Sequence, residues 1–135
     1  MNEVFADAFY FIALLNRFDQ HHAAAVAASR QLSVMLVTTH WILVEVADAL
    51  GLPTTRTRVA SFLKALASDP MIQVAPLDLG LYERGLDLYS RRPDKSWSLT
   101  DCISFVVMTD RGLTEALTGD HHFEQAGYRA LLRSG

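Results

Sequence analysis

Apolar runs of four to six residues alternate along this chain with longer stretches in which apolar positions return every three or four residues. The first pattern marks short buried strands and the second amphipathic helices. Glu3 to Ala6 reads as a strand, followed by a helix over Ala8 to Leu15 and an Ala-rich helix over Gln20 to Gln31. Val34 to Thr38 reads as a second strand. A helix from about His40 to Leu50 stops at Gly51 and Pro53. Another spans Arg56 to Ala67, with Val59, Phe62, Leu63 and Leu66 on one face. Asp69-Pro70 turns the chain into a third strand, Ile72 to Ala75. Leu79, Tyr82, Leu86 and Tyr89 then recur at helical spacing. After the loop Arg91-Arg92-Pro93-Asp94-Lys95, a helix starts at Ser98, runs to about Asp110 and stops at Gly112. Glu115 to Thr118 reads as a fourth strand, His121 to Gln125 as a short helix, and Ala130 to Leu132 as a candidate edge strand.

Strands separated by helices imply right-handed crossovers and a parallel sheet covered on both faces. The expected architecture is one α/β domain over residues 1–135, three layers deep, with four to five short parallel strands flanked by helices. In such sheets ligands bind beyond the carboxyl ends of the strands, where strand order reverses. Four carboxylates fall where that edge is expected. Asp7 and Asp120 lie at carboxyl ends of predicted strands, Glu45 one to two turns into the helix after strand two, and Asp101 in the first turn of the helix feeding strand four.

Composition bounds what these acids can be doing. The chain has 135 residues, 50% hydrophobic and 20% charged, enough for a core without covalent staples. No run reaches 18 apolar residues, so no membrane span is expected. The start, Met1-Asn2-Glu3-Val4, has no basic leader region. The single cysteine, Cys102, excludes an internal disulfide and suits a reducing cytoplasm. A net charge of −3 argues against a nucleic-acid partner until the acids are counted as a metal site. Two divalent cations would then reverse the sign. Of the twelve cationic residues only Lys64 and Lys95 are lysines. Arg forks match phosphate oxygens bidentately, although a GC-rich genome enriches Arg as well.

Hard cations such as Mg2+ and Mn2+ take oxygen ligands, and two of them can clamp the attacking and leaving oxygens of a phosphoryl displacement. Such a site needs several carboxylates from different elements and no nucleophilic side chain. Without metal it is costly: two like charges about 5 Å apart repel by roughly 3 kcal/mol at an effective dielectric near 20. Each acid also has a plainer reading. Asp101 completes a capping box with Ser98, Asp120 can cap the helix at His121, and Asp7 can cap the first helix. Glu45 resists such a reading, because apolar residues surround it and its polar neighbour at helical spacing is Asp48, which is expected to be solvated. The joint pattern carries the argument.

Other candidates are weaker. His21-His22 and His121-His122 are adjacent pairs that lack the i, i+4 spacing of a zinc helix and read as cap or surface residues. Cys102 has no paired base. There is no Gly-x-Ser-x-Gly elbow, and Gly80 and Gly85 stand five apart inside a helix rather than in a phosphate loop.

The order of Asp7, Glu45, Ser98-Leu99-Thr100-Asp101-Cys102-Ile103-Ser104-Phe105 and Leu117-Thr118-Gly119-Asp120-His121-His122-Phe123-Glu124-Gln125-Ala126-Gly127-Tyr128 resembles the PIN-domain ribonucleases, above all VapC-type toxins of bacterial toxin–antitoxin pairs. The resemblance spans nearly the whole chain and is most specific from Trp97 to Tyr128. It implies a parallel α/β sheet, one or two Mg2+ or Mn2+ ions held by Asp7, Glu45, Asp101 and Asp120, and RNA cleavage by a metal-activated water. It also implies a small hydroxyl residue beside the acids, for which Thr39, Thr100 and Thr118 are candidates, and a cognate antitoxin. Arg56, Arg58, Arg91 and Arg92 are candidates for steering RNA. A homodimer is expected, from the family and from the stripe Val59, Phe62, Leu63, Leu66. Two other classes compete. A phospho-accepting receiver would need paired acids after strand one and a Lys after the last strand, but Ala8 follows Asp7 and neither lysine ends a strand. A catalytically silent PIN-like RNA-binding or scaffolding module would not need all four acids.

Overall fold

Five parallel strands form one sheet in the order β3-β2-β1-β4-β5, in a computed structural model that describes residues 2–133. Met1, and with it the very start of the stretch read for a leader, lies outside the described residues, as do residues 134–135. The strands are β1 (Glu3–Ala6), β2 (Met35–Thr39), β3 (Ile72–Ala75), β4 (Glu115–Leu117) and β5 (Arg129–Ala130). Seven helices flank them: α1 (Ala8–Leu15), α2 (His22–Gln31), α3 (His40–Leu50), α4 (Arg56–Ser68), α5 (Leu79–Arg91), α6 (Leu99–Arg111) and α7 (His121–Gln125). The chain builds outward from β1 to β3 on one side, then returns to place β4 and β5 on the other. Strand order therefore reverses between β1 and β4, where the Asp7 amide donates to the Leu117 carbonyl at 3.3 Å.

The strands are short, and the inner ones, β1, β2 and β4, are mostly buried because both faces of the sheet are covered there. Val4, Phe5, Ala6, Val37, Ala116 and Leu117 are all buried. Over them lies α6, in which every residue from Asp101 to Met108 is buried. A helix buried on every face over two turns belongs in the middle of a protein. Phe105 knits the region together, meeting Trp97 and Phe123 edge-on at centroid separations of 5.1 and 5.0 Å.

Several boundaries shift by one or two residues, each for a local reason. Helix α2 starts at His22 rather than Gln20, because Asn16 and Asp19 spend their side chains on the amides of Phe18 and His21 and keep residues 16–21 in turns. Helix α5 continues past Tyr89 to Arg91, whose guanidinium meets Asp87 one turn back at 2.8 Å. Strand β4 ends at Leu117, one residue before Thr118.

The α4 stripe does not serve as a surplus apolar surface. Val59 and Leu66 are buried, and Phe62 packs edge-on against Phe11 at 6.0 Å, so this face belongs to the core. The unpartnered stripe lies on α5, where Leu79, Tyr82, Leu86 and Tyr89 are all exposed. Among the described residues, no helix is long and apolar enough to cross a membrane.

Candidate metal centre

The end of β1 delivers Asp7 to the reversal of strand order, where it is buried and 5% exposed. It sits at the N-terminus of α1 but makes no capping bond with its side chain. Instead its Oδ2 accepts a 2.7 Å hydrogen bond from the Thr118 hydroxyl, across from the end of β4. Thr118 Oγ1 in turn accepts from the Asp120 amide at 3.1 Å. One hydroxyl thus ties the first acid to the backbone of the last. Of the other two hydroxyl candidates, Thr39 is buried and caps α3 by accepting from the Ile42 amide, and Thr100 gives its carbonyl to Ser104. Neither makes a hydrogen bond to an acid.

The capping readings of Asp101 and Asp120 are both realised. Ser98 and Asp101 form a reciprocal capping box at 2.9 and 3.1 Å, and Asp120 accepts from the His122 amide at 2.9 Å. Capping does not exhaust a carboxylate, which has about four lone-pair directions. Asp101 uses Oδ2 for its bonds, Asp120 uses Oδ1 and Asp7 uses Oδ2. Among the described residues no side chain donates to the remaining oxygen of any of the three.

Electrostatics show that the four acids share one space. The Asp7 carboxyl is pushed up to about 7, first by burial, then by Asp101 and Glu45, against the pull of the Thr118 hydroxyl and the Ala8 amide. Glu45 is raised by its burial on α3 and by the charges of Asp101 and Asp120. Asp101 is raised by burial and by Asp120, while the Ser98 amide and His122 act the other way. Asp7 and Glu45 thus each feel two of the other acids, and Asp101 feels Asp120. Asp48, one turn further along α3, is exposed.

His122 is the residue that the sequence pattern missed. Its Nδ1 lies 3.0 Å from Asp101 Oδ2 and 3.4 Å from Asp120 Oδ1, so it is neither a surface nor a capping side chain. The i, i+4 spacing of a zinc helix does not reach this contact, because His122 meets Asp101 across 21 positions, on a different helix. The usable signal was its place two residues after a strand-end acid. Asp120, His121 and His122 are the one group of three candidate ligands among the described residues whose ligand atoms all lie within 4.8 Å of one another. The four carboxylates spread wider, as like charges do. Carboxylate ligands suit a hard cation that keeps several waters better than a closed tetrahedral zinc site. The donor chemistry is oxygen-rich and anionic, and three of the acids hold an oxygen that no side chain among the described residues occupies, so the residues fit a hard divalent cation.

Three of the four arginines that are candidates for steering RNA already have partners. Arg91 pairs with Asp87, and Arg92 forks onto Asp94 at 2.9 and 3.0 Å while stacking over Trp97. Arg56 donates to the Gly51 carbonyl. Arg58 enters no ion pair among the described residues.

Comparison with known proteins agrees with this architecture. The chain is 25% identical over 125 residues to the 23S rRNA-specific endonuclease VapC20 of two Mycobacterium tuberculosis strains, CDC 1551 / Oshkosh and ATCC 25618 / H37Rv, covering 93% of this chain and 95% of the relative. The crystal structure of M. tuberculosis VapC20, a sarcin–ricin loop cleaving toxin, superposes with a TM-score of 0.85 at 24% identity, again over 93% and 95% of the two chains, and shows the same fold. The model of the PIN domain matches residues 4–127, from the first strand to the turn after α7, and the chain belongs to the PIN-domain family.

Proposed function

We propose that this protein is a metal-dependent endoribonuclease and the toxin of a toxin–antitoxin pair. The observation that carries the reading is the meeting of four carboxylates from four elements at the β1–β4 reversal, with Asp7 buried among them. Asp7, Asp101 and Asp120 would hold the principal cation, and Glu45 would share it or help hold a second. When bound, Mg2+ or Mn2+ would supply the charge neutralisation and the activated water that phosphodiester hydrolysis needs. The chain's own residues supply the frame: Thr118 orients Asp7, the capping box fixes Asp101, and His122 bridges Asp101 and Asp120. RNA is the proposed substrate. The relatives' action on 23S rRNA and its sarcin–ricin loop makes that loop the first sequence to try. A cognate antitoxin, a homodimer and a cytoplasmic setting complete the proposal.

The test is cleavage of a ribosomal RNA stem-loop by purified protein with EDTA, Mg2+ or Mn2+. Asp7→Asn and Asp101→Asn each keep shape but remove ligand charge. Each is expected to lower the rate by about a hundredfold or more, since a catalytic cation contributes several kcal/mol. Undiminished Mn2+-dependent cleavage by folded Asp101→Asn protein would leave that acid as a helix cap and nothing else.

A further inference from the structure

Away from the acids, the turn after α1 and the corner between α3 and α4 enclose an open cleft of about 750 Å3. Its lining includes Leu15, Asn16, Arg17, Phe18, Leu52 and Arg58, and contains no carboxylate. That is unusual in a chain of net charge −3. Five of the other arginines, Arg84, Arg91, Arg92, Arg129 and Arg133, are matched by acids. Arg17 and Arg58 are exposed, and neither enters an ion pair among the described residues. Asp19 and Asp48, close in sequence to the cleft's lining residues, have other surroundings. Asp19 accepts from the His21 amide at 2.8 Å, and Asp48 lines the separate groove beside Arg56.

Phe18 is 82% exposed, the most exposed large apolar side chain described. The Arg17 guanidinium stands 4.8 Å from its ring centroid. A lone exposed Phe needs no explanation. An aromatic ring with a cation on one face, flanked by a second unmatched cation, is how proteins hold unpaired nucleotides. Bases stack on the ring, and the backbone phosphates meet the guanidinium groups. A short run of contacts links Phe18 to the strand end that carries Asp120. Three residues after Phe18, the His21 ring lies 4.7 Å from Phe9. Phe9 presses on Gly119, so that a Cβ there would come 2.4 Å from its ring. Gly119 directly precedes Asp120. Three residues of chain span at most roughly 10 Å.

We propose that this cleft is a subsite for an unpaired nucleotide of the RNA substrate, with a base stacked on Phe18 and the adjoining phosphates on Arg17 and Arg58. The inference rests on RNA being the substrate and adds where, outside the acids, the strand is held. Charge complementarity favours RNA over the other occupant of an aromatic cleft, an apolar protein segment, which would leave two arginines unmatched.

The test uses single-stranded RNA carrying 2-aminopurine, bound to Asp101→Asn protein so that turnover does not interfere. Adding Phe18→Ala is expected to weaken binding about 5- to 100-fold and to abolish the fluorescence change on stacking, while Phe18→Tyr retains both. Arg17→Ala and Arg58→Ala are each expected to lower the slope of log affinity against log salt by about 0.7. In the active protein, Phe18→Ala should raise KM and leave kcat unchanged. Unaltered affinity and quenching after Phe18→Ala overturn the subsite, as does an Asp101→Asn protein that binds no RNA at low salt. So does a Phe18→Ala protein that keeps its RNA affinity but loses a protein partner. Wild-type protein that binds RNA through Phe18 yet cleaves none with Mg2+ or Mn2+ refutes the nuclease reading and keeps the subsite.

Discussion

Gly119 sets where Asp120 can stand. A Cβ at this position would come 2.4 Å from Phe9 Cζ, inside any real contact distance, so the strand end lies directly on the Phe9 ring. Gly119→Ala is expected to push the ring or the backbone aside, costing roughly 1–3 kcal/mol. Because Asp120 follows immediately, cleavage should fall along with stability. Shrinking the ring should relieve both, so the Gly119→Ala, Phe9→Ala double variant is expected to melt higher than the sum of the single changes allows. Strict additivity in thermal melts would show that the two residues do not press on each other. At this scale the sequence was informative about type and silent about direction. Glu45 stood out because an acid among Ile42, Leu43, Val44 and Val46 needs a reason. Three threonines were equal candidates, and only the crossing from β1 to β4 makes Thr118 the partner of Asp7. His122 escaped because its partner is 21 positions away, and local spacing cannot report a contact between helices.

Elements were legible wherever burial imposes a period. β1, α1, α3, β3 and α7 have the limits that the apolar pattern gives, because each has a buried face and a residue that ends it. The pattern does not say which of two apolar faces is covered. The stripes of α4 and α5 look alike in sequence, yet the first lies on the core and the second in solvent. Gly80 and Gly85 teach the same lesson within one helix. A Cβ on Gly80 would meet only the side chain of its own cap, Asp78, at 3.6 Å, whereas one on Gly85 would come 2.4 Å from Ile103 Cγ1 of α6. Gly85 is what lets α5 and α6 approach. Gly85→Ala is therefore expected to destabilise by roughly 1–3 kcal/mol, a loss of about 3–10 °C in melting temperature. Gly80→Ala should be neutral or stabilise by up to about 1 kcal/mol, since Ala is the better helix former. Equal melting temperatures for the two variants would mean that the helices can slide apart without cost.

The whole molecule carries two consequences that no single element shows. The exposed stripe of α5 is close to symmetric about position 84: Leu79 mirrors Tyr89, and Tyr82 mirrors Leu86. Two copies packed antiparallel along α5 would set each Leu against a Tyr, as a two-fold interface requires. Light scattering is expected to give twice the chain mass of 15.0 kDa, and Leu86→Glu to return it to one chain. A mass of one chain for the unmodified protein at all concentrations would rule the dimer out. The second consequence comes from burying acids, and bringing them together, before any cation arrives. Asp7 is raised from 3.8 to about 7 in the fold, and Glu45 and Asp101 are raised with it. A carboxyl whose folded pKa lies above its unfolded value holds more protons when native. Its stabilisation is complete below about pH 4 and is lost as pH rises toward 7. The carboxylates held low by arginine, Asp94 at about 2 and Asp110, change only in more acidic solution, so they do not blur this window. In EDTA the protein is therefore expected to melt higher at pH 5 than at pH 8. Mn2+ at pH 8 should restore what is lost, because a cation that binds only the native cluster adds about 2.7 kcal/mol at one hundred times its dissociation constant. Asp120→Asn removes a charge that raises both Glu45 and Asp101, so it should shrink the pH difference and the Mn2+ response together. A melting temperature in EDTA that is flat from pH 5 to pH 8, with no gain from Mn2+, would mean that the acids are not buried together in solution.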